Sequence, residues 1–153
     1  MILAYRLVRL IETHSEELAT GLLEKLDACK KCPGFINVPP EDFKGRVGDI
    51  YRYLGKWLLG RTENDIQQRY LEVGRSRAQQ GVPLSELIWA IALTKDNLME
   101  FLRREAQHDT PAEVSGQLEV LQLLEQFFDH ASYYAACGHE EFQRNAAALA
   151  GKP

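Results

Sequence analysis

Apolar residues recur every three or four positions along nearly the whole chain, and no stretch shows the β-branched alternation of a strand. That period predicts an all-α fold, a helical bundle with a long C-terminal helix. Proline and glycine gather in three places, 32–40, 81–83 and 109–111, and these divide the helices. A first helix is expected on the stripe Leu7, Ile11, His14, Leu18, Leu22 and Leu26, ending near Cys29. Pro39-Pro40, the strongest breaker, precedes a second helix from near Glu41 to Gly60 on Val47, Ile50, Tyr51, Leu54, Trp57 and Leu58.

Thr62, with Asp65 three positions on, suits the cap of a third helix that runs to Gln80 on Ile66, Tyr70, Val73 and Arg77. Gly81 is a natural C-terminal stop, and Pro83 opens a fourth helix over 84–106. Leu84, Leu87, Ile88, Trp89, Ile91, Leu93, Leu98, Phe101 and Leu102 make that helix apolar on more than one side, which marks it as central. The last helix starts after Thr110-Pro111 and continues to about Ala148 through Val114, Leu118, Leu121, Leu124, Phe128, Ala131 and Tyr134. At 1.5 Å per residue it is roughly 50 Å long, so unless it breaks at Gly138 its far end is free to pair with another chain.

Composition fixes the scale. The 153 residues, 45% hydrophobic and 26% charged, suit a single domain over 1–149 with a short tail at 150–153. A chain of this length buries roughly 68–70% of its unfolded surface and needs no metal or disulfide staple. With 18 basic and 22 acidic residues the net charge is −4, which argues against a nucleic-acid partner. Arg6 and Arg9 interrupt the apolar start, no small-residue cleavage site follows, and no run approaches the ~18 apolar residues of a membrane span. The expectation is a cytoplasmic chain without a membrane partner, and three cysteines are a poor disulfide framework.

Arg77 is the most informative residue, because it falls on the apolar stripe of its helix, where a charge is costly unless paired or able to snorkel. It either ties helices together through a carboxylate such as Asp96 or helix-end carbonyls, the favoured reading, or contacts a ligand. Arg77, Trp89 and Tyr70 are the candidates for an interior ligand pocket. Cys29-Lys30-Lys31-Cys32 is a CxxC without a βαβ neighbourhood or a second ligand pair, so chance or local structure is preferred to redox or zinc chemistry. His14 lies on an apolar stripe and reads as packing rather than ligation, and His139 stands beside Glu140-Glu141 near the end. No HExxH, glycine-rich phosphate loop or nucleophile elbow is present, so no catalytic residue, metal site or enzyme activity is expected. Phe127, Phe128, Tyr133 and Tyr134 cover two faces of the last helix, and Phe128, Tyr134 and Tyr133 are the candidates for a dimer interface.

Three runs together carry a family resemblance: Tyr53–Leu59 (YLGKWLL), Tyr70–Gly81 (YLEVGRSRAQQG) and Val82–Leu102 (VPLSELIWAIALTKDNLMEFL). With the later FFDHASYYAACGHEEF (127–142), they resemble the RsbR/RsbRD-type N-terminal domain. The resemblance implies a non-haem globin fold, dimeric through its end helices, that serves as a sensory input to stress signalling. It also implies partners such as RsbS- or RsbT-like proteins or histidine kinases. A more distant likeness is to haem-binding globin-coupled sensors, whose pattern Ile-Gly-x-x-His aligns with Val73-Gly74-Arg75-Ser76-Arg77. Arg77 stands where their iron ligand would be, and a guanidinium has no lone pair for iron, so no cofactor is expected. The alternative is a globin-like protein that binds haem or another ligand by a different geometry. Signalling proteins of the family continue into an output domain, so this chain reads as an input module, excised or free-standing.

Overall fold

The computed structural model describes residues 2–39, 41, 45, 48, 51, 54–55, 63–105 and 111–151, and every regular element among them is helical. Five α-helices are bounded in full: α1 (Ile2–Thr13), α2 (Ser15–Ala28), α3 (Glu63–Gln79), α4 (Leu84–Glu105) and α5 (Pro111–Ala150). A 3-10 turn, Pro33–Asn37, follows α2. Glu41, Gly45, Gly48, Tyr51, Leu54 and Gly55 are helical, on the stretch expected for the second helix. Val47, Ile50, Trp57, Leu58 and the expected cap residues Thr62 and Thr110 lie outside the described residues.

The expected first helix is in fact two. The His14 ring Nδ1 hydrogen-bonds the Leu10 carbonyl at 2.8 Å, which also accepts the His14 backbone N–H at 3.1 Å. One residue earlier in register, Thr13 Oγ1 donates to the Arg9 carbonyl at 2.7 Å. Side chains that bond back to carbonyls of their own helix bend it, and here α1 passes into α2 through the single residue His14.

The α3–α4 corner follows its sequence closely. Gly81 has φ 81°, a left-handed conformation that a Cβ disfavours. Its N–H bonds the Ala78 carbonyl and the Val82 N–H bonds the Arg77 carbonyl, each at 3.0 Å, which is the Schellman pattern. Buried Val82 supplies the apolar contact that accompanies such a stop.

Helix α5 is the spine: it lies along α3 in the most extensive contact of the fold and also packs on α4 and α1. The α3–α5 contact is closest at two glycines. A Cβ on Gly74 would overlap the Ala135 carbonyl oxygen, and one on Gly138 would overlap the Leu71 carbonyl oxygen. Gly138 therefore does not break the last helix but lets it approach. At 40 residues α5 is about 60 Å long, and Gln143–Ala150 are exposed beyond the body.

Helix α4 meets α2, α3, α5 and the 3-10 turn, as a central helix should, yet it is not wrapped all round. It buries Leu87, Ala90, Ile91, Thr94, Asn97, Leu98, Phe101 and Leu102 while Ile88 and Trp89 reach solvent. Two of its buried positions are polar ties. Asn97 Nδ2 donates to the Leu18 carbonyl of α2 at 2.9 Å, and the Tyr51 hydroxyl donates to the Thr94 carbonyl at 2.9 Å. Replacing Asn97 by Leu removes the buried cross-helix bond to the Leu18 carbonyl, and a loss of about 0.5–1.5 kcal/mol is expected in urea unfolding. A variant as stable as the wild type would show that this tie is not a net stabiliser.

Candidate functional site

Three places in the fold gather the residues singled out by sequence. The first is the buried corner beneath the α3–α4 turn. Ile66, Tyr70, Gly74 and Arg77 form the buried stripe of α3, so Tyr70 and Arg77 sit two turns apart on one face. Tyr70 meets Phe127 of α5 edge to face at 5.9 Å, and burial pushes its phenol well above the ordinary tyrosine range. Arg77 is 3% exposed, donates from Nη1 to Gln80 Oε1 at 2.8 Å, and holds its guanidinium 6.0 Å from the Phe35 ring centroid. It thus joins the end of α3 to the 3-10 turn, while Asp96, one candidate partner, is exposed on the polar face of α4.

Trp89 corrects a sequence expectation. It is 36% exposed and lies on the outer face of α4, where the Lys31 ammonium sits 4.1 Å from its ring centroid. It does not share an interior pocket with Tyr70 and Arg77. A run apolar on several sides left the facing of Trp89 open, and packing against α2, α3 and α5 turned it outward.

His139 is the residue that sequence reasoning passed over. It is fully buried, and its Nε2 lies 2.6 Å from the Val82 carbonyl; since that carbonyl only accepts, Nε2 carries the proton. Its Nδ1 has no hydrogen-bond partner among the described residues. The ring pins α5 against the corner above Arg77. Its signal was available: His139 continues the spacing of three and four set by Phe128, Ala131 and Ala135, the stripe that α5 buries.

The second place is the aromatic stretch of α5. Phe128, expected at a dimer face, is 3% exposed and packs inside the chain, where it meets Phe127 edge to face at 5.1 Å. Adjacent helix positions point about 100° apart, and α5 has neighbours on both sides here, so both phenylalanines are used internally. Tyr133 is 65% exposed, and half-buried Tyr134 donates its hydroxyl to Glu63 Oε1 at 3.0 Å. That carboxylate also faces His130 Nδ1 at 3.1 Å, and its hydrogen bond raises the Tyr134 phenol. Structure therefore separates the aromatic set into an inward pair and an outward pair.

The third place is an open groove of about 370 Å³ between α2 and α4. Glu17, Glu24 and Arg104 line it, with buried Asn97 and Phe101 beneath. Exposed ion pairs join neighbouring helices: Lys25–Glu100 (α2–α4) at 2.6 Å, Lys95–Glu125 (α4–α5) at 2.8 Å and Arg75–Glu141 (α3–α5) at 3.1 Å. Pairs so exposed contribute little to stability. Among the described residues no three His, Cys, Asp or Glu side chains come together as a metal-binding group, and no helix is long and apolar enough to cross a membrane.

Comparison with known proteins adds one finding. The family model for the RsbT co-antagonist protein rsbRD N-terminal domain matches residues 35–151, which takes in the second helical stretch, α3, α4 and α5. Neither the curated proteins nor the solved structures gave a match.

Proposed function

The chain belongs to the RsbT co-antagonist protein rsbRD N-terminal domain family, a family of stress-signalling regulatory domains, and from that membership we propose a non-catalytic sensory input domain acting as a cytoplasmic homodimer. On this reading the domain has a globin-like arrangement without haem, and a trigger shifts the packing of its end helices. The shift passes to RsbS- or RsbT-like or kinase partners. The observation that carries the reading is the free end of α5: Gln143–Ala150 are exposed, and Tyr133 presents its ring to solvent on the same helix. A helix that outruns its own body and bears exposed aromatic surface suits pairing with a second copy. Arg77 and Tyr70 then form the interior through which α3 and α5 keep register, and Tyr133 and Tyr134 serve the interface. A trigger must favour one of two packings by differential affinity.

Size-exclusion chromatography with light scattering tests this on the full chain. A dimer is expected, shifted toward monomer by Tyr133→Asp with the helical circular-dichroism signal unchanged. A wild-type monomer at high concentration overturns the dimer, and a Tyr133→Asp dimer of wild-type strength removes Tyr133 from the interface.

A further inference from the structure

At the end of α2 the chain turns through Cys29-Lys30-Lys31-Cys32 into the 3-10 turn, and the two thiols occupy unlike environments. Cys29 is half-buried, and the Lys31 backbone N–H lies 3.4 Å from its sulfur, with the Trp89 indole and the Cys32 thiol as its other polar neighbours. The Lys31 ammonium, held over the Trp89 ring, adds positive charge beside the same atom. Cys32, by contrast, is 4% exposed, and its S–H also reaches the Glu86 carbonyl at 3.7 Å. The loop is seated on α4 by the Gly34 N–H, which donates to Glu86 Oε2 at 2.7 Å.

These surroundings divide the labour between the two sulfurs. The Lys31 N–H above all, with Trp89, Cys32 and the Lys31 charge, draws the Cys29 thiol below the usual range. Burial first, and then the neighbouring Cys29, pushes Cys32 up to about 12. A thiolate that solvent can reach is the nucleophile in disulfide exchange, and a protonated, buried thiol in contact with it is held back until needed.

We propose that Cys29 and Cys32 form a thiol–disulfide exchange site whose substrate is a low-molecular-weight disulfide, with Cys29 attacking and Cys32 resolving. This inference does not depend on the dimer or on the signalling partners. In the first step the Cys29 sulfur attacks one sulfur of R–S–S–R. A mixed disulfide forms, the R–S–S–R bond breaks, and the departing thiolate takes a proton from water. Cys29 has then lost its charge, which removes one cause of the protonated state of Cys32. Cys32 releases its proton to solvent, its sulfur attacks Cys29 Sγ, and the second thiolate leaves and is protonated. The protein dithiol is oxidised by two electrons, and the small disulfide is reduced to two thiols. Trp89, solvent-facing and outside the expected interior pocket, thereby has a positioning role as a donor to the attacking sulfur.

The test uses the reduced full chain with glutathione disulfide as the probe, followed by alkylation and intact mass. The wild type is expected to lose two of its three alkylatable thiols without gaining glutathione, leaving Cys137 as the labelled site. Cys32→Ser is expected to stop at one glutathione adduct on Cys29, and Cys29→Ser to form none on Cys32. With the alkylating agent alone at neutral pH, Cys29 is expected to react about tenfold or more faster than Cys137. Trp89→Phe, which keeps the ring and removes its N–H, should slow Cys29 severalfold at unchanged circular dichroism. Three alkylatable thiols after glutathione disulfide treatment would overturn the proposal. So would an adduct spread equally over Cys29 and Cys137 in Cys32→Ser, or a disulfide that links two chains instead of closing within one.

Discussion

The Gly138→Ala chain is expected to melt about 4–8 °C below the wild type, although alanine is the better helix former. Local propensity argues the other way: in a helix interior alanine is favoured over glycine by about 0.8–1.0 kcal/mol. The opposing effect is steric and larger. A Cβ at Gly138 would overlap the Leu71 carbonyl oxygen and stand 3.0 Å from its Cα. Those are backbone atoms held in the hydrogen bonding of α3, so no rotamer change relieves the clash, and the two helices must move apart. Overpacking of this kind costs about 1–3 kcal/mol and sometimes more, and the most extensive helix contact of the fold is what opens. About 3 kcal/mol less the roughly 1 kcal/mol of propensity leaves about 2 kcal/mol, and at about 2–4 °C per kcal/mol for a domain of this size that gives the stated shift. Gly74→Ala should behave alike, because its Cβ would overlap the Ala135 carbonyl. Gly45→Ala is the control: it is helical, its added Cβ meets nothing within 4 Å, and its stability should hold or rise slightly. Thermal unfolding followed at the helical circular-dichroism band decides it, and an unchanged or higher midpoint for Gly138→Ala would refute the close α3–α5 approach.

Truncating Phe101 to alanine is expected to cost about 3–5 kcal/mol, a large part of the stability of an ordinary domain. The ring is 2% exposed within the core, and its centroid is 5.4 Å from that of His14, at the break between α1 and α2. Its removal leaves a cavity and also bares one side of the residue on which that break turns. Phe101→Leu should recover more than half of the loss, since most of the volume returns. Urea unfolding gives the two values, and hydrogen exchange locates the damage: protection should fall around His14 before it falls in α3. A loss below about 1 kcal/mol for Phe101→Ala would mean that the α2–α4 contact relaxes to fill the space.

The helical class, the corner at Gly81 and the length of the last helix were legible from the chain because each rests on local chemistry. A period of three to four, a glycine with positive φ and a run without breakers need no knowledge of neighbours. The family could be recognised for a similar reason, since the matching runs lie mainly on α3, α4 and α5, where sequence and element coincide. The break at His14 was hidden, because a histidine on an apolar stripe reads as packing until its ring is seen bonded to the Leu10 carbonyl. Of the candidate site residues, Tyr70 and Arg77 could be placed in the interior from the stripe of α3. Trp89 and Phe128 could not be placed, since helix period gives a face but not the identity of what covers it.

The sequence by itself determined that this is an all-helical member of a regulatory family, with an arginine on the buried stripe of α3. Only the tertiary structure decided that Gly74 and Gly138 are points of helix contact, that His139 is a buried pin, and that the two cysteines of an unremarkable CxxC differ in access and surroundings. The physical reason is the same in each case. Propensity and periodicity act over a turn or two of chain, whereas close approach and burial arise between segments far apart in sequence.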